Sequence, residues 1–341
     1  IHVYVEKPMA HTIGEARQML EEARRHSVVT QLGNQGHSSE GIRRLCEYVW
    51  AGAIGQVREV VCWSDRANGL PAGDRPPAQA VPESLDWEQW IGPAPFRQFH
   101  GGLHPHSWHR WTDFGNGSIG NMGTHIIDPV KWSLKLGSPA SVELEEVSGG
   151  NDERWPVGAR VRYDFPAREG MDPVRLTWYE GLAKGWAYGK ETVGEIDCVK
   201  REARNRPPIV VELEKKYDRD FGANGTLLIG DKGIMTIDPY GDGCRMVPEA
   251  AHRAYPKPPA TLPRVKGTHQ GDFFRACRGG VPACANFEYA ELLSEIVLLG
   301  DLAMRAGAGK RIEWDGPAMR CVNMPELNRF VKTDSRDGWR I

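Results

Sequence analysis

Residues 2–36 have the sequence HVYVEKPMAHTIGEARQMLEEARRHSVVTQLGNQG, and this stretch decides the fold. Residues 2–5 are a short, mostly apolar run, which predicts a buried strand. Thr12 and Glu15 have the spacing of a capping box, which predicts the start of a helix. Residues 28–32 predict a second strand, ending at a glycine. Strand, helix and strand in this order indicate part of a parallel, doubly wound sheet.

The pattern changes after a second helix at residues 39–50 and a Val-rich strand at 56–64. Residues 65–116 are rich in Pro, Gly, His and Trp, which predicts a long ordered loop with one short helix near residues 84–90. One continuous helix is predicted for residues 118–135. The later strand-like runs lie at 141–147, 159–165, 174–179, 226–229, 233–237 and 311–314, with a helix at 287–305 before the last. The fold class is therefore α/β, with a small parallel part followed by a larger, mostly antiparallel sheet with helices on one face.

Composition narrows the class of function. The 341 residues carry a formal net charge of −2, which argues against nucleic acid or an anionic membrane as the partner. No run of 18 apolar residues is present, so no membrane span is expected. The seven cysteines form no CxxC pair, which favours reduced thiols and a cytoplasmic location.

Two motifs carry the chemistry. Glu6-Lys7-Pro8 directly follows the first predicted strand, and residues 117–128 have the sequence GSIGNMGTHIID. These resemble the EKP signature and the glycine-rich DxxxH helix of the Gfo/Idh/MocA oxidoreductases, a family that includes glucose–fructose oxidoreductase and inositol dehydrogenase. Further stretches that look like a bacterial branch of this family are AGAIGQVREV, LTWYEG, NGTLLIGDKG and IEWD.

The resemblance implies a domain organisation. Residues 1–55 are expected to be the end of a Rossmann-type domain, and residues 56–341 a substrate-binding, catalytic and oligomerisation domain. In the family, the EKP lysine lies beside the nicotinamide of NAD(P) and hydrogen-bonds the reacting hydroxyl, a role that falls to Lys7 here. The exposed face of the large sheet pairs with another subunit in relatives, so a homo-oligomer is expected.

The predicted helix after the aromatic loop would present Asn121, His125 and Asp128 on one face, because they are spaced i, i+4 and i+7. His125 is then the candidate base for a substrate hydroxyl. Asn121 stands where the family usually has Asp, and an amide cannot take up a proton as a carboxylate does. Asp128, on the same face, is expected to compensate.

A second departure concerns the cofactor. The glycine-rich turn that holds the pyrophosphate in the family is absent upstream of Glu6, and the glycine-rich residues 115–120 do not follow a predicted strand. The first residue is Ile1 rather than Met, so a fragment or a processed chain is expected. NAD(P), the cofactor of full-length relatives, is therefore not expected to bind this chain alone.

Substrate contacts are predicted at the end of the second strand and in the aromatic loop. The candidates are His37, His104, His106, Trp108, Trp111 and Asp113. Aromatic faces suit pyranose rings. His104, His106 and His125 are also a candidate metal site for Zn, Mn or Fe. The alternative is that these histidines only hydrogen-bond sugar hydroxyls.

Three hypotheses about function follow. The first is an enzyme that cleaves glycosides without dissociable NAD, assisted by a metal. The second is a fragment of an NAD(P)-dependent sugar dehydrogenase. The third is an inactive sugar-binding module, which the Asn121 departure favours. In each, the partner is a small sugar or glycoside.

Overall fold

The computed structural model describes residues 1–193 and 198–339. The first strands and helices match the sequence pattern: β1 at Val3–Val5, α1 at Ile13–Arg25, β2 at Thr30–Leu32 and α2 at Glu40–Trp50. β1 and β2 pair in parallel, which confirms the predicted connection through α1. The capping box that begins α1 is complete, because the Thr12 side chain accepts from the Glu15 backbone and the Glu15 side chain accepts from the Thr12 backbone.

Nine strands form the large sheet. Its members are β3 (Val57–Ser64), β4 (Ser141–Ser148), β5 (Gly158–Phe165), β6 (Val174–Gly181), β9 (Asn224–Gly230), β10 (Ile234–Ile237), β11 (Cys244–Val247), β12 (Arg311–Asp315) and β13 (Arg320–Cys321). The short strands β7 (Thr192–Val193) and β8 (Cys198–Val199) pair separately. In the large sheet, as far as the described residues show, the strand order is β11-β10-β9-β3-β6-β5-β4-β12-β13, and β3 with β6 is its only parallel pair. The prediction of a mixed α/β chain with a larger, mostly antiparallel sheet is confirmed.

The sequence of β5 shows why this sheet has two different faces. Ala159, Val161 and Tyr163 are buried in the main core, which also contains the long helix α9. Arg160 and Arg162 alternate with them on the opposite face, as the period of two requires. They form ion pairs there with glutamates of β4, at 2.8 Å from Arg160 and 2.6 Å from Arg162.

The remaining helices surround the sheet and the loop. They are α3 (Trp87–Ile91), α4 (Thr124–Ile126), α5 (Asp128–Ser133), α6 (Pro208–Tyr217), α7 (Glu249–Ala254), α8 (His269–Cys277) and α9 (Phe287–Ala306). α3 is the short helix that the sequence predicted inside the aromatic loop. Among the described helices, none is both long and apolar enough to cross a membrane. A division of the chain at residue 55 stays a prediction.

The helix predicted at residues 118–135 is present, but it is not a regular α-helix throughout. The structure has a π-helical turn at Ile119–Gly123, followed by α4 and α5 as separate short helices. Gly120 lies so close to the preceding turn that a Cβ there would be 2.2 Å from the Asn116 Cβ. Pro129 at the start of α5 has no backbone N–H to continue the hydrogen-bond ladder. Both residues favour the break.

Candidate active site

Lys7 lies directly after β1 and points at the π-turn. Its Nζ donates to the backbone oxygen of Asn121 at 2.8 Å and also to the Asn121 side-chain oxygen. Burial lowers the pKa of Lys7 to about 8; the nearby Glu6 carboxylate raises it and the Arg66 guanidinium lowers it further. A lysine with this pKa is mostly protonated at neutral pH but can exchange its proton readily.

His125 is the buried imidazole of the same segment. Burial lowers its pKa to about 4; the Lys7 ammonium lowers it as well, and Asp128 partly offsets both. The ring is therefore neutral at pH 7. Within the described part of the chain its Nδ1 is fully buried and has no hydrogen-bond partner. The Tyr240 ring lies edge-on, with 5.4 Å between ring centroids.

Asp128 does not share a side-chain cluster with Asn121, which corrects the expectation from helical spacing. The π-turn and the break before α5 change the register, so Asp128 points to the other side of the segment. Its carboxylate accepts from His37 Nδ1 at 2.9 Å, from Asn34 Nδ2 at 3.0 Å and from the Tyr289 hydroxyl at 2.5 Å. Asp128 acts on His125 only through its charge.

This arrangement also corrects the prediction that His37 contacts the substrate. Its ring is 2% exposed and lies between Trp132 and Tyr289, with ring centroids 4.4 and 4.3 Å away. Asp128 occupies its Nδ1. The residue follows β2 as predicted, but it supports the π-turn segment from behind and does not face a substrate.

The π-turn rests on a buried acid. Glu180 on β6 accepts from the Trp178 indole N–H at 2.7 Å and from the backbone N–H of Ile119. Burial raises the pKa of Glu180 to about 8, and these two hydrogen bonds only partly counter the rise. The carboxyl group is therefore protonated at neutral pH, and it holds the first residue of the turn that carries Asn121.

The proposed metal site is not formed. Over residues 1–193 and 198–339, no group of three or more His, Cys, Asp or Glu side chains could hold a metal ion. His104 packs edge-on against Trp90, with 5.7 Å between centroids, and His106 is an exposed residue whose ring contacts His109. Among the described residues, the ring contacts of His104 and His106 are with Trp90 and His109, not with His125.

Trp111 belongs to the core of the aromatic loop, contrary to the prediction of a sugar contact. It is 1% exposed and packs with Trp87 and Leu103, and its indole N–H donates to the Gly102 oxygen at 2.9 Å. The guanidinium of Arg97 lies 4.7 Å from its ring centroid. A ring enclosed in this way has no face left for a ligand.

Trp108 and Asp113 keep an accessible surface. Both line a cavity of about 1080 Å³ beside the aromatic loop. Asp113 also forms an ion pair with Arg97 at 3.2 Å, so its carboxylate is held in place. The structure thus separates these two residues from the His125 segment and assigns them to the wall of this cavity.

Sequence reasoning missed three residues near Lys7. Arg66 follows β3, and its charge lowers the pKa of Lys7. His109 lies in the 3₁₀ turn of the aromatic loop, and the Lys7 ammonium lowers the pKa of its ring. Burial, His106 and Arg110 lower the pKa of His109 to about 4. Tyr240 comes from the turn after β10, more than 100 residues away in sequence from His125. The EKP motif suggests none of them, because their proximity depends on the sheet order.

Comparisons with known proteins agree with this geometry. Residues 70–170 match the Gfo/Idh/MocA profile described as the C-terminal α/β domain of the oxidoreductase family. No protein of curated function matches the chain.

Solved structures share the fold. One is the WlbA dehydrogenase of Bordetella pertussis in complex with NADH and UDP-GlcNAcA, at 13% identity and a TM-score of 0.53, with 92% of this chain and 72% of that one covered. Another is an oxidoreductase of Thermotoga maritima, at 13% identity and 0.52, covering 92% and 71%. A third is the aldose-aldose oxidoreductase of Caulobacter crescentus complexed with glycerol, at 17% and 0.50, covering 92% and 72%. Residues 70–170 thus match the family model of the Gfo/Idh/MocA oxidoreductases, which confirms the family resemblance predicted from the sequence.

Proposed function

We propose that the protein is an NAD(P)-dependent oxidoreductase that acts on a hydroxyl group of a sugar. The observation that carries this proposal is the cluster of Lys7, Asn121 and His125, in which a protonated amine and a neutral imidazole lie within electrostatic reach of each other. The family match of residues 70–170 favours a dehydrogenase over the cleavage of glycosides, which no comparison supports. The dehydrogenase hypothesis therefore replaces glycoside cleavage as the preferred one.

Acid and base roles follow from the two pKa shifts. Lys7 donates a hydrogen bond to the oxygen of the reacting hydroxyl, which polarises the O–H bond. The His125 imidazole, neutral at pH 7, accepts the released proton. Asn121 holds the Lys7 amine in place through two oxygen contacts. The chemistry that a bound nicotinamide supplies is acceptance of the hydride.

The residues of the chain fit the reacting end of such a cofactor. Lys7 and Gly33 lie where β1 and β2 end, which is the edge at which ligands bind in open α/β sheets. Gly33 lies beside Glu6, because a Cβ on Gly33 would be 2.6 Å from the Glu6 carboxylate. The glycine-rich residues 115–120 lead into the π-turn and do not follow a strand, so they are not a phosphate-binding turn.

The test measures reduction of NAD⁺ and NADP⁺ at 340 nm with a panel of aldoses, polyols and nucleotide sugars. It uses two preparations: the chain of residues 1–341, and the product of the natural gene translated from its own start codon. Turnover that Lys7→Met and His125→Ala both abolish supports the proposal. Absence of turnover in both preparations, with cofactor and sugar binding confirmed, would leave the inactive sugar-binding module, which Asn121 favours.

The remaining proposals concern assembly and location. We expect a homo-oligomer that pairs through the charged face of the large sheet, where the Arg160–Glu145 and Arg162–Glu143 ion pairs lie. Sedimentation velocity at low and high salt tests this directly, since such pairs weaken with ionic strength. A cytoplasmic location stays a prediction.

A further inference from the structure

The cavity of about 1080 Å³ beside the aromatic loop is separate from the Lys7 cluster. Its walls come from the aromatic loop, residues 144–156, the last turn of α9 and the C-terminal residues 324–335, with His11 and Glu15 from the region where α1 begins. Lys7, Asn121 and His125 do not line it. Its volume reaches the upper end of the range that small-molecule sites occupy, roughly 300–1000 Å³. The cavity is therefore large enough for a ligand of its own.

Aromatic rings line the cavity on several sides. They belong to Trp90, Trp108, Phe114, Trp155 and Phe330. Trp90, Trp108, Phe114 and Phe330 are only partly buried and keep surface for a ligand. Trp155 is 3% exposed and stiffens the wall from within, because its indole N–H donates to the Gly115 oxygen at 2.5 Å. Flat, rigid faces of this kind bind the C–H faces of pyranose rings at little entropic cost.

The charged groups of the cavity are balanced in sign. The basic residues are Arg154, Arg305, Arg329 and Lys310, and the acidic ones are Glu15, Asp113, Asp152, Glu326 and Asp334. A strongly charged ligand would meet like charges on one side or another. A hydroxyl group both donates and accepts hydrogen bonds, so a neutral polyhydroxylated ligand can use both sets.

Arg305 is the most firmly placed donor. It lies in the last turn of α9, and its Nη2 donates to the Thr112 oxygen at 3.1 Å. Its guanidinium also stacks over the rings of Trp155 and Phe330, at 5.1 and 4.4 Å from the centroids. A donor held on aromatic faces needs little reorganisation to bind a ligand.

The walls of the cavity are tied to one another. Arg336 in the C-terminal segment forms an ion pair with Glu88 of α3 and donates to the Gly92 oxygen at 2.9 Å. Arg305 links α9 to the aromatic loop in the same manner. The cavity is therefore formed before any ligand arrives.

We infer that this cavity is a second carbohydrate site, which binds a short neutral oligosaccharide between Trp108 and Phe330. The inference does not depend on the proposed dehydrogenase activity, because it concerns binding alone. It assigns Trp90, Trp108 and Phe114 of the aromatic loop to recognition of a sugar chain, while Trp87, Phe99 and Trp111 form the core of that loop.

The test is calorimetric titration of the full chain with maltotriose, cellotriose, xylotriose and, as the charged counterpart, trigalacturonate. We expect at least one neutral trisaccharide to bind. Trp108→Ala should weaken that binding about tenfold, the loss of one aromatic contact of about 1.4 kcal/mol. Phe330→Leu, which keeps an apolar side chain, should weaken it less.

Two controls separate this site from the Lys7 cluster. Trp186→Ala removes an exposed Trp that does not line the cavity and should leave the affinity unchanged. Lys7→Met should also leave it unchanged. The inference is overturned if no trisaccharide binds, if only trigalacturonate binds, or if Lys7→Met abolishes binding while Trp108→Ala does not. Circular dichroism of each variant confirms the fold.

Discussion

Replacing Asn121 with Asp puts a carboxylate against the Lys7 ammonium group without changing the size of the side chain. In the wild-type protein, Lys7 Nζ contacts both oxygens of Asn121, and burial lowers the Lys7 pKa to about 8. An opposite charge at hydrogen-bond distance raises the pKa of a lysine by roughly 1–3 units. Because Lys7 is partly exposed, we expect a rise of about one to two units, which corresponds to about 1.4–2.7 kcal/mol.

The Lys7 pKa can be measured without any activity. The rate at which acetic anhydride labels Lys7, followed by peptide mass spectrometry from pH 6 to 11, gives the fraction of neutral amine. In Asn121→Asp, half-maximal labelling should move from about pH 8 to between roughly 9 and 10. Asn121→Leu is the matched control; it removes the side-chain acceptor and should not raise the pKa.

The same substitution should act on His125. Its pKa, about 4 in the wild type, should also rise, because the new carboxylate favours the imidazolium form. Histidine C–H resonances followed by NMR report this change. If Asn121→Asp leaves the Lys7 pKa at 8 or lowers it, the electrostatic account of this cluster is refuted.

Three further predictions concern stability. The Glu180 carboxyl has a pKa of about 8 in the folded protein and about 4.5 in the unfolded chain, so its contribution to folding stability is fully present below pH 4.5 and is lost as pH rises towards 8. Relative to the wild type, Glu180→Gln should therefore gain about 1 kcal/mol of unfolding free energy per pH unit between pH 5 and 7 in urea unfolding. A difference that does not change with pH would contradict this. Trp111→Ala should cost about 3–5 kcal/mol in the same assay, whereas Trp108→Ala should cost under about 1 kcal/mol; equal losses would contradict the assignment of Trp111 to the core. Asp128→Asn should destabilise by about 1–3 kcal/mol, since the buried His37 and Tyr289 lose a charged acceptor, and thermal unfolding with no change in midpoint would count against that network.

The sequence predicted the parts of the fold that local patterns encode. The Thr12–Glu15 capping box and the apolar runs beside it were enough to place β1, α1 and β2. Lys7 could be singled out because its motif follows a strand directly, and the structure places it against the segment that carries His125.

The rest required information that local patterns do not contain. A helical period assumes 3.6 residues per turn, so it cannot anticipate the π-turn at Ile119–Gly123 that turns Asp128 away from Asn121. Trp108 and Trp111 are three residues apart in an irregular loop, where no period distinguishes a buried ring from an exposed one. Tyr240 reaches His125 because α4 is hydrogen-bonded to β9, the strand that pairs with β10.

The π-turn at Ile119–Gly123 determines which mutations this segment can accept. Two parts of this segment have different neighbours: Asn121, within the turn, contacts Lys7, and Asp128, after the turn, contacts His37. Substitutions in one part can alter the chemistry at Lys7 without disturbing the buried support of the other. A single-residue deletion within the turn would rotate the two parts relative to each other and couple them, so we expect this segment to tolerate exchange of side chains far better than change of length.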